Sequence, residues 1–329
     1  STDVNVPAID ANGYYTNEEG AGYTVTLTNT LPTGALAGLF TINSGGDQVR
    51  FSKGNLQYIG SAATPYWKFA EHQYDYLGTS TGQNSTETNK DRDLFGWATS
   101  GYSGATTSDN TWVNYQPWAT SNGAGSVNTS TNYYEYGPST SNIASGTSWN
   151  DASHYDTWRV CDWGHNAISN GGNTADTWRT LTKDEWVYLF NTRTAGGTVF
   201  GTSQARYTEA TINTDGTSVN GVIVFPDGVD IGSDKVTTAG AVNGSSAWAT
   251  KCTAAQWTAL EGMGCVFLPA AGYRDGTTVY RAGSNGYYWS STANNADRAY
   301  YVYFYSGYFN PQRSDDRCIG YSVRLVVGL

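Results

Sequence analysis

The chain has 329 residues, enough to bury a sizeable core in one large domain or two smaller ones. It holds 25 tyrosines, 12 tryptophans and 10 phenylalanines, and its 18 basic and 28 acidic residues give a net charge of −10. This balance argues against a nucleic-acid backbone or an anionic membrane surface as the partner, and no apolar run is long enough to insert into a bilayer.

In chain order, residues 1–37 are predicted to form a short N-terminal β segment or connector, and residues 38–329 the main domain. Residues 40–52 open this domain with two apolar runs around a Gly-Gly-Asp turn, which is typical of a hairpin. Residues 79–153 are dominated by Ser, Thr, Asn, Gly and Tyr, with few aliphatic residues. This composition predicts long loops held in place by occasional aromatic side chains.

Two segments carry the signature of a helix start. Residues 182–185 (Thr-Lys-Asp-Glu) and 253–256 (Thr-Ala-Ala-Gln) are capping boxes, and a tryptophan directly follows each one. The last 60 or so residues are short apolar and aromatic runs separated by polar turns, a pattern that predicts strands. Two helices among many short strands and long loops indicate an α+β protein.

The residues that could support catalysis are few. Cys161, Cys252, Cys265 and Cys318 are scattered without a C-x-x-C pair, so we expect buried small hydrophobic side chains, with a single bridge left open. His72, His154 and His165 are the only histidines, and no Ser or Cys lies in a nucleophile motif. We therefore expect each histidine to be a structural hydrogen-bonding group.

Several motifs resemble a known family. Residues 178–186 (W-R-T-L-T-K-D-E-W) resemble the helix entry of formylglycine-generating-enzyme-type domains, a branch of the C-type lectin fold, and residues 320–326 (G-Y-S-V-R-L-V) resemble their closing strand. Further segments are similar to proteins of gut Bacteroidales and their phages, many of which look like variable proteins of diversity-generating retroelements: residues 49–58, 93–97, 266–272 and 288–291. The similarity covers about residues 38–329 and implies an α+β, C-type lectin fold of the formylglycine-generating-enzyme type, with two main helices, many short strands and long loops.

The resemblance also implies a diversified binding site. In such systems an error-prone reverse transcriptase rewrites adenines, so that Asn codons change to many residue types. Family members often have an Asn-rich string where this chain has residues 302–326, and many residues here are one or two adenine changes from an Asn codon. Within a variable region of about residues 287–321, the implied ligand-binding residues are Asn294, Asn295, Asp297, Tyr301, Tyr303, Tyr305, Gly307, Tyr308, Asn310, Arg313, Ser314, Asp315, Asp316, Cys318 and Ile319.

The alternation of residues 301–305 (Tyr-Val-Tyr-Phe-Tyr) supports the same site on physical grounds. A strand would send Val302 and Phe304 to a core and the three tyrosines to the opposite face, about 7 Å apart. Exposed tyrosine together with Ser, Gly, Asn, Asp and Arg is the composition of an antibody paratope. The alternative is that these tyrosines form a half-buried aromatic sheet packed under a loop.

We therefore expect a binding protein and not an enzyme, one that recognises changing cell-surface targets. Its partner would be a protein or glycan on a bacterial or host cell. The protein itself would act outside the cell, on a phage tail fibre or a bacterial surface. A homo-oligomer stays open as an alternative to a monomer. No cofactor is expected, although loops rich in Asp and Asn could hold a structural Ca²⁺. Residues 149–151 spell the W-N-D of calcium-dependent lectins but lie mid-chain, and residues 310–312 resemble the partner loop only loosely.

Two alternatives stay open. A formylglycine-generating-type enzyme would need a pair of cysteines near the C-terminus to hold copper, whereas Cys318 stands alone there. A fixed structural adhesin domain would use the tyrosines only for packing.

Overall fold

The computed structural model describes residues 14–16, 22–24, 31–78, 84, 91–98, 100, 162–214, 216–275, 278–295, 298–317 and 319–329. The chain divides into two compact units, Ser1–Leu31 and Pro32–Leu329. In the first unit, β1 (Tyr14–Thr16) pairs antiparallel with β2 (Gly22–Thr24). The predicted boundary lay at residue 37, but residues 32–37 join the larger unit because Leu36 is buried in its core.

Strands are the main regular secondary structure of the larger unit where it is described. They are β3 (Phe40–Thr41), β4 (Gln48–Phe51), β5 (Leu56–Ile59), β6 (Tyr66–Phe69), β7 (Asp91–Arg92), β8 (Arg179–Thr180), β9 (Thr198–Val199), β10 (Tyr207–Thr214), β11 (Thr217–Val224), β12 (Asp230–Ile231), β13 (Thr250–Thr253), β14 (Val266–Pro269), β15 (Tyr273–Asp275), β16 (Thr278–Tyr280), β17 (Asn285–Ala293), β18 (Arg298–Tyr305), β19 (Tyr308–Asp316) and β20 (Leu325–Gly328). They form sheets in the orders β3-β4-β20-β8, β6-β5-β7, β13-β10-β11-β14 and β17-β18-β19, with the pairs β9-β12 and β15-β16.

The two predicted helix starts form, but the helices are short. Both capping boxes are complete ahead of α1 (Lys183–Val187) and α2 (Ala254–Gly262), and the tryptophan after each box is buried. A π-helical turn (Tyr188–Thr192) continues α1 and ends where the buried Arg193 donates to Asp227 Oδ1 at 3.0 Å. Gly264 follows α2 with φ of +88°, a conformation that terminates a helix. Two 3₁₀ turns, Trp163–His165 and Ser233–Lys235, complete the described helical structure.

The predicted α+β, C-type lectin fold with two main helices is therefore wrong, since the described chain fits an all-β fold. A capping box marks where a helix starts but carries no information about its length. The hairpin formed by β10 and β11 was not predicted. The sequence between these Thr-rich strands, residues 215–216, is Asp-Gly, which is a strong hairpin signal.

Three aromatic and aliphatic clusters fill the interior. The tryptophan core contains Trp97, Trp163 and Trp289, and the phenylalanine core is built around Phe40 and Phe51. The third core lies between the β10–β11 sheet and α2 and includes Ile212, Ile223 and Trp257. Each fully buried large apolar side chain contributes about 1.5–3 kcal/mol to folding, so these clusters dominate stability.

The closing segment, residues 320–328, ties the separate sheets together. Tyr321 pairs with Phe95, Ser322 with Tyr288, and β20 with both β4 and β8. Gly320 pairs with Arg274, and a Cβ at Gly320 would lie 2.9 Å from the Arg274 Nε. The close approach explains why a glycine occupies this position. Neither α-helix of the described residues has the length and apolar character needed to cross a membrane.

Candidate functional site

The predicted variable region is built on the β18–β19 hairpin. Tyr305 pairs with Tyr308 at its tip, and Gly307 in the turn has φ of +79°, which favours glycine. Further along, Tyr301 pairs with Arg313, while Tyr303 pairs with Asn310, so one extra residue bulges from β19. β19 is an edge strand, and the bulge holds the buried Pro311, a residue that an edge or a bulge tolerates.

The two faces of β18 pack differently. Val302 and Phe304 are fully buried in the phenylalanine core, as predicted. The three tyrosines of the opposite face do not all lie in water: Tyr301 is 3% exposed, Tyr303 is half-buried and Tyr305 is 38% exposed.

The expectation of a solvated tyrosine row therefore fails at Tyr301, where neighbouring rings cover the phenol. The Tyr301 ring centroid lies 4.7 Å from that of Tyr321 and 5.9 Å from those of Tyr287 and Trp289. Tyr301 thereby belongs to the tryptophan core, and only the distal half of the row reaches solvent. The alternative of an aromatic sheet is correct for one end of the strand.

A cleft of about 330 Å³ opens between this strand and its neighbours. Five tyrosines, two aspartates, an arginine and an isoleucine line it: Tyr273, Asp275, Tyr287, Tyr301, Tyr303, Arg313, Asp315, Ile319 and Tyr321. Five of these lining residues were predicted site residues. The other four were not predicted, because they lie outside the β18–β19 hairpin. They come from β15 (Tyr273 and Asp275), from β17 (Tyr287) and from the closing segment (Tyr321).

Hydrogen bonds and ring contacts fix the cleft side chains. The Tyr321 hydroxyl donates to Asp315 Oδ2 at 2.7 Å, and the Asn285 amide donates to the Tyr303 hydroxyl oxygen at 2.9 Å. The Arg313 guanidinium lies 5.2 Å from the centroid of the Tyr303 ring, within the range of a cation–π contact. The cleft is thus a preformed polar and aromatic surface.

The deep phenols of the cleft are held in the neutral form. Burial raises the pKa of Tyr287, Tyr301 and Tyr321 above the usual value, and the Asp315 carboxylate adds to the increase for Tyr301 and Tyr321. These hydroxyls therefore act as neutral hydrogen-bonding groups at physiological pH.

The hairpin turn is anchored by a buried carboxylate from another sheet. Glu209 on β10 is fully buried, and its Oε2 accepts the backbone amide of Gly307 at 3.0 Å. The same oxygen accepts the amides of Ser246 and Trp248 at 3.3 Å each. Three backbone donors that share one side-chain oxygen fix the position of the turn.

A second group of predicted residues lies around Arg298 and Ser314. Asn294 donates to the Ser314 hydroxyl at 2.8 Å, Asn295 accepts the Arg298 amide at 2.8 Å, and Asp316 forms an ion pair with Arg298 at 3.1 Å. Side chains alternate between the two faces of a sheet, and the pairing places Arg298 and Ser314 on the same face as Val302. They therefore face away from Tyr301. The structure therefore divides the predicted site between two faces, whereas Asp297 and Cys318 lie outside the described residues.

Two cysteines and two histidines of the candidate catalytic set are described. Cys252 and Cys265 are buried free thiols, and burial raises the pKa of Cys252 to about 11 and that of Cys265 further, so neither is a thiolate at neutral pH. His165 Nδ1 lies 2.7 Å from Asp176 Oδ1, and the His72 ring stacks on Tyr74. His154, Cys161 and the W-N-D motif fall outside the described residues.

No group of three or more His, Cys, Asp or Glu side chains within the described ranges is placed to hold a metal ion. The structural Ca²⁺ therefore stays an expectation.

Comparison with known proteins locates one family match. Residues 206–326 match a family described as a domain of unknown function (DUF8237). No curated protein and no solved structure matches the chain. The matched segment contains the β18–β19 hairpin, the cleft and Glu209.

Removing one buried phenol tests the arrangement of the cleft. Since the folded-state pKa of Tyr287, Tyr301 and Tyr321 lies above that of the unfolded chain, their contribution to stability is full below about pH 10 and is lost as the pH rises further. During alkaline unfolding, Tyr301→Phe should release one proton fewer than the wild type. Proton release is measured by tyrosinate absorbance, and unfolding is measured by circular dichroism. An unchanged proton release would show that Tyr301 is not buried.

Replacing Glu209 tests the turn anchor. Glu209→Met keeps the length of the side chain but leaves three backbone amides without their acceptor. We expect a loss of about 1–3 kcal/mol in unfolding free energy and faster amide exchange at residues 305–308. Glu209→Gln retains an oxygen acceptor and should stay closer to the wild type. Unchanged exchange of the Gly307 amide in Glu209→Met would contradict the anchor.

Proposed function

We propose that this protein is a ligand-binding protein, used for receptor binding or adhesion, and that the β18–β19 face with its cleft is the binding surface. Its ligand would be a protein or glycan on a bacterial or host cell. The protein would act outside the cell, on a phage tail fibre or a bacterial surface.

The main support for the proposal is that one face of the β18–β19 hairpin is buried while the other is partly exposed. Val302 and Phe304 are fully buried and fix the strand, while Tyr305 and Arg313 are exposed on the opposite side and can change without disturbing either core. Tyrosine and arginine are also the residues that most often dominate binding energy at interfaces. A fixed strand with replaceable outer side chains suits a diversified binding surface.

Two further observations favour binding over catalysis. Burial raises the pKa of the Tyr287, Tyr301 and Tyr321 phenols and of the two described thiols, so none of these groups offers a nucleophile at neutral pH. The cleft is also lined by large rigid side chains, which lose little conformational entropy when they make contacts.

Sequencing the gene across a population of its natural host or phage tests this function. We expect substitutions concentrated in residues 303–319 and confined to codons derived from adenines, with Tyr305 and Arg313 among the most variable. Val302, Phe304 and Val323 should stay constant, because each is fully buried and its replacement would leave a cavity or a clash. A stretch as constant as the rest of the chain would reject diversification and leave a fixed adhesin domain.

A further inference from the structure

We propose that the cleft accepts a cationic side chain, lysine or arginine, from a protein partner. This inference rests on the proposed binding function and names the chemistry that the cleft would recognise.

The charge of the lining residues favours a cation. Asp275 and Asp315 are half-buried in the cleft wall, and among the described lining residues Arg313 is the one cation. The Arg313 guanidinium is already placed over the Tyr303 ring. The chain as a whole carries a net charge of −10, so its long-range field attracts a positively charged partner.

The raised pKa values of the cleft tyrosines support a negative electrostatic potential inside the cleft. After burial, Asp275 is the largest cause that raises the pKa of Tyr273. Tyr280 adds to the increase, Arg281 opposes it, and Asp315 adds a smaller increase. Asp315 likewise raises the pKa of Tyr301 and Tyr321. Groups that disfavour a new negative charge at this position favour a positive one there.

The aromatic walls provide the second attraction. Tyr303, Tyr287 and Tyr273 follow one another along the cleft, with ring centroids 4.8 Å and 5.1 Å apart. A cation above such rings is stabilised by their quadrupoles, most strongly where water is excluded. A lysine ammonium offers three donors and no acceptor, which matches carboxylate and phenol oxygens.

Tyr273 and Asp275 also extend the surface beyond the hairpin. Both lie on β15, outside the predicted variable region, and the Tyr273 ring stacks on the 44% exposed Tyr280 of β16 at 5.3 Å. The cationic subsite would therefore be partly independent of the residues that diversify, and different variants would share it.

The test uses two small probes that differ in charge. Nα-acetyl-lysine methylamide carries the ammonium, and Nα-acetyl-norleucine methylamide is its neutral counterpart. We expect the lysine probe to bind in the cleft about 2- to 30-fold more tightly, as followed by NMR titration of the full chain, and to weaken with added salt. Equal binding of both probes, or preferential binding of methyl glucoside, would overturn the proposal.

Three variants locate the interaction. Asp315→Asn and Asp275→Asn should each weaken the lysine probe, whereas Arg313→Gln should tighten it by removing a like charge. Asp234→Asn changes an exposed aspartate that does not line the cleft and serves as the matched control. If Asp275→Asn and Arg313→Gln shift the affinity in the same direction, the cleft does not select a cation by charge. A negative result with the lysine probe would not change the substitution pattern found by sequencing. The cationic subsite and the diversified binding function can therefore be rejected independently.

Discussion

The structure depends on one constraint, the position of β18 between two cores. Period-two alternation sends Val302 and Phe304 into the phenylalanine core and Tyr301 into the tryptophan core. A slip of one residue would exchange every side chain between the two cores, so the register is strongly specified. Because the strand is held from both sides, only its end and its edge partner β19 are left to meet a ligand.

The same constraint shapes the proposed binding surface. Glu209 fixes the turn through the Gly307 amide, and the bulge at Pro311 changes the register of β19 before Arg313. A surface whose backbone is fixed before the ligand arrives loses less entropy on binding, which favours affinity. The cleft behind the hairpin adds residues from β15 and the closing segment, so binding would combine changeable and constant contacts.

Local patterns predicted local structure well and the global fold poorly. The boxes at Thr182 and Thr253 form as predicted, and so does the alternation that buries Val302 and Phe304. The fold class failed because capping does not reveal helix length. The burial of Tyr301 depends on Tyr321, twenty residues away in sequence and brought beside it only by the closing segment. Cleft residues from separate elements carry no joint signal in a single sequence.

The most direct measurement of the central claim compares two display libraries for resistance to protease. One randomises Tyr305 and Arg313, and the other randomises Val302 and Phe304. We expect most members of the first library to stay folded and nearly all members of the second to be cleaved, because only the second removes packing from a core. Similar losses in both libraries would contradict the claim that this hairpin separates a fixed face from a replaceable one.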